Sequence, residues 1–139
     1  MSIMEKERKK FKVIIGGTSE MSDYDFLKSK CDIVLSRKLS DPDFEVIIVS
    51  SDSKKGVDIL AEKYAQEKGL EFKKYKTDWE ILGKKAGIYR NKRMSEESNA
   101  CIAFLSGDEV VDRGIKNLVS IATKEKLLLR EIYYPSRKA

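Results

Sequence analysis

Val46-Ile47-Ile48-Val49 runs straight into Ser50-Ser51-Asp52-Ser53-Lys54-Lys55-Gly56, and Val57-Asp58 then open an amphipathic stripe. Four consecutive β-branched residues bounded by small and polar ones read as a strand buried on both faces, as in a parallel sheet. Val57, Leu60, Ala61, Tyr64 and Ala65 recur at helical spacing, and Gly69 stops them. The stretch between is therefore a βα loop, which aims backbone N–H groups and the positive end of a helix dipole at one spot. The loop carries two lysines and three serines. The expectation is an anion, phosphate above all, at this helix start.

Working outward, the same alternation repeats. Phe11–Ile15 is a strand that ends in the loop Gly16-Gly17-Thr18-Ser19. Ser22 or Asp23 can cap a helix with Tyr24, Leu27, Cys31, Val34 and Leu35 on one face. Asp41-Pro42-Asp43 is a turn. Downstream, Leu70–Tyr75 reads as a third strand, Thr77–Ile88 as a loop, and Tyr89–Ser98 as a polar helix with few core positions. Ala100–Leu105 is a fourth strand and Ser106–Arg113 a loop. Ile115, Leu118, Val119 and Ala122 mark a further helix, and Leu127–Tyr133 a last strand. This order predicts an α/β protein: a Rossmann-like three-layer αβα domain on a mainly parallel five-stranded sheet. The domain should span 11–134, between a charged tail at 1–10 and a short one at 135–139.

Composition narrows the function. The 139 residues suffice for one domain with one core. No apolar run approaches the roughly 20 residues of a membrane span. Met1–Lys10 lacks the apolar stretch of a signal peptide, so the expected location is the cytoplasm. Lys and Arg exceed Asp and Glu by 28 to 23, and Lys6, Arg8, Lys9, Lys10, Arg137 and Lys138 supply several of these charges from the ends. That modest excess fits an anionic small ligand and argues against a dedicated nucleic-acid face. The chain has no histidine, which removes histidine triads and histidine metal sites. Cys31 on a helix face and Cys101 in an apolar strand read as small buried hydrophobes, not as a disulfide or a nucleophile. No cofactor and no metal is expected. Asp52, Asp108 and Glu109 could hold a cation, but nothing in their spacing singles that out.

Ligands of such sheets bind beyond the carboxyl ends of the strands. Three loops leave that edge: Gly16–Ser19, Ser50–Gly56 and Ser106–Gly114. Gly16, Gly17, Thr18, Ser51 and Ser53 are ligand candidates by position. Gly56 serves either a turn or a close ligand approach. Lys54 and Lys55 are either phosphate partners or solvated. Asp58 either complements the helix dipole or organises the pocket. Trp79, the only tryptophan, either stacks on a base or plugs the edge of the core, and the plug is the reading we favour. Arg90 either faces the pocket or forms a structural ion pair, and Asn91 could cap the third loop. Arg113 and Gly114 open a second helix start and so a second anion position.

The chain also resembles the YspA-like branch of the SLOG superfamily, named for its DprA/Smf and LOG relatives. Val13-Ile14-Ile15-Gly16-Gly17-Thr18 and Ser53-Lys54-Lys55-Gly56-Val57-Asp58 are similar to its first two loop motifs. Asp78-Trp79, Gly83-Lys84-Lys85-Ala86-Gly87-Ile88-Tyr89-Arg90-Asn91 and Met94 resemble its most specific signature. Ala103-Phe104 and Arg113-Gly114-Ile115-Lys116-Asn117 resemble its ending. The resemblance implies a Rossmann-like SLOG domain with a nucleotide-derived ligand. The chain departs from the pattern where two loop glycines of the family fall on Asp52 and Ser53. An arginine of the family is replaced by Lys55, and Glu20 follows Thr18-Ser19 where another arginine is usual. The phosphoribohydrolase motif of LOG proteins has no match, and Leu60 stands where its glutamate would be.

Three functions follow as expectations: a nucleotide sensor or binding module, a nucleotide-processing enzyme cleaving an N-glycosidic bond, and a DNA-associated domain. A homodimer fits the polar helix and the resemblance, and a bacterial or phage origin fits the family.

Overall fold

The computed structural model describes residues 7–135. Five strands, β1 (Lys9–Gly17), β2 (Phe44–Ser51), β3 (Glu71–Tyr75), β4 (Ala100–Leu105) and β5 (Leu128–Tyr133), form one sheet in the order β3-β2-β1-β4-β5. Every pairing is parallel. The helices are α1 (Tyr24–Ser40), α2 (Val57–Lys68), the single turn α3 (Trp79–Leu82), α4 (Ala86–Glu96) and α5 (Arg113–Lys124), with a 3₁₀ turn at Gly83–Lys85 before α4.

Alternation along the strands explains the layers. Phe11, Val13, Ile15, Val46, Ile48, Ala100, Ile102 and Phe104 pack with α1 and α2 on one face. Ile14, Ile47, Val49, Cys101, Ala103 and Leu105 pack with α4 and α5 on the other. A side-chain period of two sends successive residues to opposite faces, so a strand covered on both sides must be apolar throughout. That is why Val46–Val49 carries no polar residue.

The local signals act as the residues dictate. Asp23 caps α1, accepting from Phe26 N at 3.1 Å. Gly69 ends α2 in the left-handed conformation at φ 68°. Cys31 and Cys101 are buried and unbridged, and burial pushes each thiol up to about 12.

Two boundaries differ from expectation. Gly16 and Gly17 are strand, paired with Ala103 and Phe104, so β1 runs past the apolar residues at both ends. Lys9 and Lys10 belong to β1 too, which leaves residues 1–6 and 136–139 of the expected tails outside the described region. The segment from Thr77 to Ile88 is not a plain loop: it holds α3, the 3₁₀ turn and the first turn of α4.

The chain leaves β1 toward β2 and β3 on one side, and continues through β4 and β5 on the other. The crevice outside the carboxyl ends of β1 and β4 is the switch point of the sheet.

Candidate functional site

A cavity of about 560 Å³ opens at that edge. This volume lies within the roughly 300–1,000 Å³ of small-molecule sites. Its wall brings together Gly16 and Gly17 at the end of β1 and Thr18 just after it, Ser51, Ser53, Lys55 and Asp58 around the β2 loop, Trp79, Arg90 and Asn91 from α3 and α4, and Gly114 from α5. Gly56 and Arg113, both expected at the site, are not on the wall.

The β1 glycines are required by packing. A Cβ on Gly17 would stand 2.5 Å from Val57 Cγ2 and 2.7 Å from the Phe104 carbonyl oxygen. One on Gly16 would meet Leu118 Cδ2 at 3.0 Å. Helices α2 and α5 thus press on β1 from opposite faces, and only bare backbone lets them close.

Gly56 has a related cause. It sits at φ 76° and ψ −151°, a conformation almost confined to glycine. A Cβ there would lie 2.3 Å from the Thr18 carbonyl oxygen, which accepts the Val57 N–H at 3.1 Å. The first loop therefore fills the start of α2 from within the protein. Asp58, on the first turn, accepts a hydrogen bond from Ser51 Oγ. Burial pushes its carboxyl above the ordinary carboxylate range, against the opposing pull of Ser51 and of the Arg90 charge. One backbone donor of this helix start is thus taken by the Thr18 carbonyl, and the Asp58 carboxyl stands on its first turn.

Thr77 joins the loops. Its N–H and hydroxyl donate to Asp52 Oδ2 and Oδ1 at 2.9 and 2.7 Å. Arg90 Nη1 donates to Thr77 Oγ1 at 2.8 Å, and Arg90 Nε and Nη2 donate to Asn91 Oδ1 at 3.1 and 2.9 Å. Asn91 Nδ2 donates to Asn117 Oδ1 at 2.9 Å, tying α4 to α5. Asn91 therefore does not cap the third loop; it braces two helices and fixes the guanidinium plane. Burial raises the Asp52 carboxyl, but the Thr77 bonds and the Arg90 charge outweigh it and leave it below the ordinary range. Burial lowers the Arg90 pKa while Asp58 and Asp52 oppose it. Asp52 is consequently a loop tether, and its charge is directed to Thr77 and Arg90.

Trp79 does not plug the core: its side chain is 61% exposed on the cavity wall. Lys54 and Lys55 are exposed at the mouth and form no ion pair among the described residues.

The β4 loop is organised differently from the β2 loop. Buried Asp112 accepts from Ser106 N, Ser106 Oγ and Gly107 N, each at 2.8 Å. Asp108 accepts from Val110 N and Val111 N. A Cβ on Gly114 would meet nothing within 4 Å, so the first turn of α5 opens onto the cavity. Arg113 beside it points to solvent. Among the described residues no three acidic or cysteine side chains gather into a metal-binding group. No helix there is long and apolar enough to cross a membrane.

A model of the YspA, cpYpsA-related SLOG family matches residues 11–81. The chain belongs to that family. No curated protein and no solved structure matches it. SLOG membership suggests nucleotide-related binding or processing. The matched residues carry the β1, β2 and β3 loops of this SLOG chain. Arg90, Asn91 and Gly114 lie beyond them and enter the site on geometry alone.

Thr77 and Asn117 were not among the expected site residues. Thr77 follows β3 at the same carboxyl edge as the three loops singled out, and that position was the available signal. Asn117 lies one turn into α5, and its place in the Arg113–Asn117 stretch that resembles the family's ending was the available signal.

Proposed function

We propose that this SLOG chain binds a nucleotide or nucleotide-derived ligand in the switch-point cavity, as a sensor or binding module. The observation that carries this reading is the make-up of one cavity wall. Lys54 and Lys55 stand at the mouth, the open ring of Trp79 is beside them, and the Asp58–Ser51 pair lies inside. Each part suits a different portion of a nucleotide. Lysines neutralise phosphate as point charges. An exposed indole offers a stacking face to a base. A carboxyl and a hydroxyl accept hydrogen bonds from sugar hydroxyls. The chain has no histidine to act as a general base on the wall.

A thermal-shift panel of nucleotides, cyclic and sugar nucleotides and NAD derivatives tests the reading. Ligand at about 100 times its dissociation constant adds roughly 2.7 kcal/mol, a shift of several degrees for a domain of this size. Trp79→Ala and Lys55→Ala should each weaken the hit. A flat panel overturns the proposal.

One observation favours a second reading. A carboxyl whose pKa is raised by burial, on a cavity wall, is what a hydrolase uses to assist departure of a base from a sugar. Base release that Asp58→Asn abolishes while ligand binding persists would establish the enzyme over the binding module.

A further inference from the structure

Half of the large hydrophobic side chains exposed among the described residues fall between Trp79 and Tyr89. Ile81 is 79% exposed, Ile88 51%, Tyr89 47% and Leu82 39%. An ordinary surface helix turns its large apolar residues to the core. In α4 the arrangement is inverted: Ala86, Asn91, Met94 and Ser95 face inward, and Ile88 and Tyr89 face out.

We propose that the outward face of α4 is the contact surface for a second copy of this chain. Tyr89, Lys92 and Glu96 are exposed along one stripe of α4, and exposed Lys85, the last residue of the 3₁₀ turn and the N-cap of α4, precedes them at the same spacing: i, i+4, i+7 and i+11. The stripe is complementary to itself when reversed. A two-fold axis at its middle sets Lys85 against Glu96 of the second copy, and Tyr89 against Lys92. The first is an opposite-charge pair and the second a cation over a ring, and the symmetry makes each twice. Ile88 lies beside this seam, and Ile81 and Leu82 of the preceding turn extend the apolar area. Arg93 does not disturb the pattern, because its guanidinium lies over the ring of Tyr75 in its own chain, 5.4 Å from the centroid.

The occupant is a protein surface rather than a polyanion. Nucleic acid would use the lysines and the rings, but the aliphatic Ile81 and Ile88 offer no stacking face and are relieved of water only by apolar contact. Self-association also accounts for the acidic end of the stripe, which a phosphate backbone would avoid. The opposite face of the same helix presents Arg90 and Asn91 to the cavity wall, so contact on one side and ligand on the other bear on a single element.

Sedimentation of the full chain over a concentration series tests this. The expected result is a species of twice the 15.9 kDa chain mass, lost in Tyr89→Glu while the circular dichroism spectrum of the folded chain is unchanged. Lys85→Glu should weaken association, and so should Glu96→Lys. The double variant Lys85→Glu/Glu96→Lys should restore it, since the pairing is reversed but kept. A wild-type mass that stays at one chain throughout overturns the proposal, as does a double variant no better than either single one. Salt-sensitive binding of an oligonucleotide lost in Tyr89→Glu, without self-association, would overturn it in favour of nucleic acid. The outcome is independent of any nucleotide screen, because none of these side chains lies on the cavity wall.

Discussion

Helices α2 and α5 both begin at the carboxyl edge of the sheet, each behind a loop of small and polar residues, yet their first turns meet opposite fates. The α2 start is closed: the Thr18 carbonyl takes the Val57 N–H, and Asp58 adds a carboxyl. The α5 start is more open: the Arg113 N–H reaches the Val110 carbonyl of its own loop only at 3.4 Å, Asp112 turns its side chain back to Ser106 and Gly107, and a Cβ on Gly114 would meet nothing within 4 Å. The loops differ in charge, Ser50–Gly56 carrying two lysines and Ser106–Asp112 three acidic residues, and they differ in what lies across from each. The first loop, leaving the central strand, crosses the start of α2. A helix dipole is therefore available to a ligand only where the neighbouring backbone has not already used it.

The largest effect should come from the closed terminus. Gly56→Ala forces a side chain into a glycine-only conformation and against the Thr18 carbonyl. It should cost about 3 kcal/mol or more, roughly 10 °C in a thermal melt. An unchanged melt would show that the two loops are not locked together. Next is Arg90→Ala, which removes the donors to Thr77 and Asn91. Leaving partly buried acceptors unpaired should cost about 1–3 kcal/mol in chemical denaturation.

Asp58→Asn should act in the other direction. Its carboxyl has a folded pKa above the unfolded one, so the folded state holds the proton more tightly. That contribution is fully present below the ordinary carboxylate pKa and declines as pH rises through the raised value. The variant escapes the decline: it should melt above wild type at pH 7, and the two should converge below about pH 4. A variant that melts lower than wild type at pH 7 and converges with it at low pH would mean that the charge stabilises the start of α2. The smallest effect is expected at the open one. Gly114→Ala should gain up to about 1 kcal/mol of helix stability, while its methyl group narrows the cavity and weakens ligand affinity.

The fold was largely legible from residue order. The strand runs around Val13, Val46 and Ala100 alternate between two helix layers, and their apolar continuity announced burial on both faces. Asp23, Gly69 and the Asp41–Asp43 turn acted as local chemistry dictates. What escaped was α3 and the first turn of α4. The buried positions of α4 are alanine, asparagine, methionine and serine, which carry no apolar stripe, and its isoleucine and tyrosine face solvent. Periodicity detects a helix that packs by hydrophobic burial, and α4 is instead held inward by Arg90, Asn91 and Asn117. In the site, position along the sheet edge identified most of the wall, but not the direction of each side chain. Asp52 could be seen near an anion position, while its bonds to Thr77 depend on a residue 25 positions away. Gly56 could be recognised as special, but the reason, a carbonyl from another loop, lies outside its own stretch.

The hydroxyls of Thr18 and Tyr134 meet at 2.5 Å across 116 residues of chain. Thr18 also holds the carbonyl that closes α2, so the first loop is steadied by a residue just past the last strand. During synthesis, β1 leaves the ribosome early, yet its loop gains this partner only after β5 has joined β4. The cavity edge that the opening strand begins thus takes one of its supports from the residue just past the last strand.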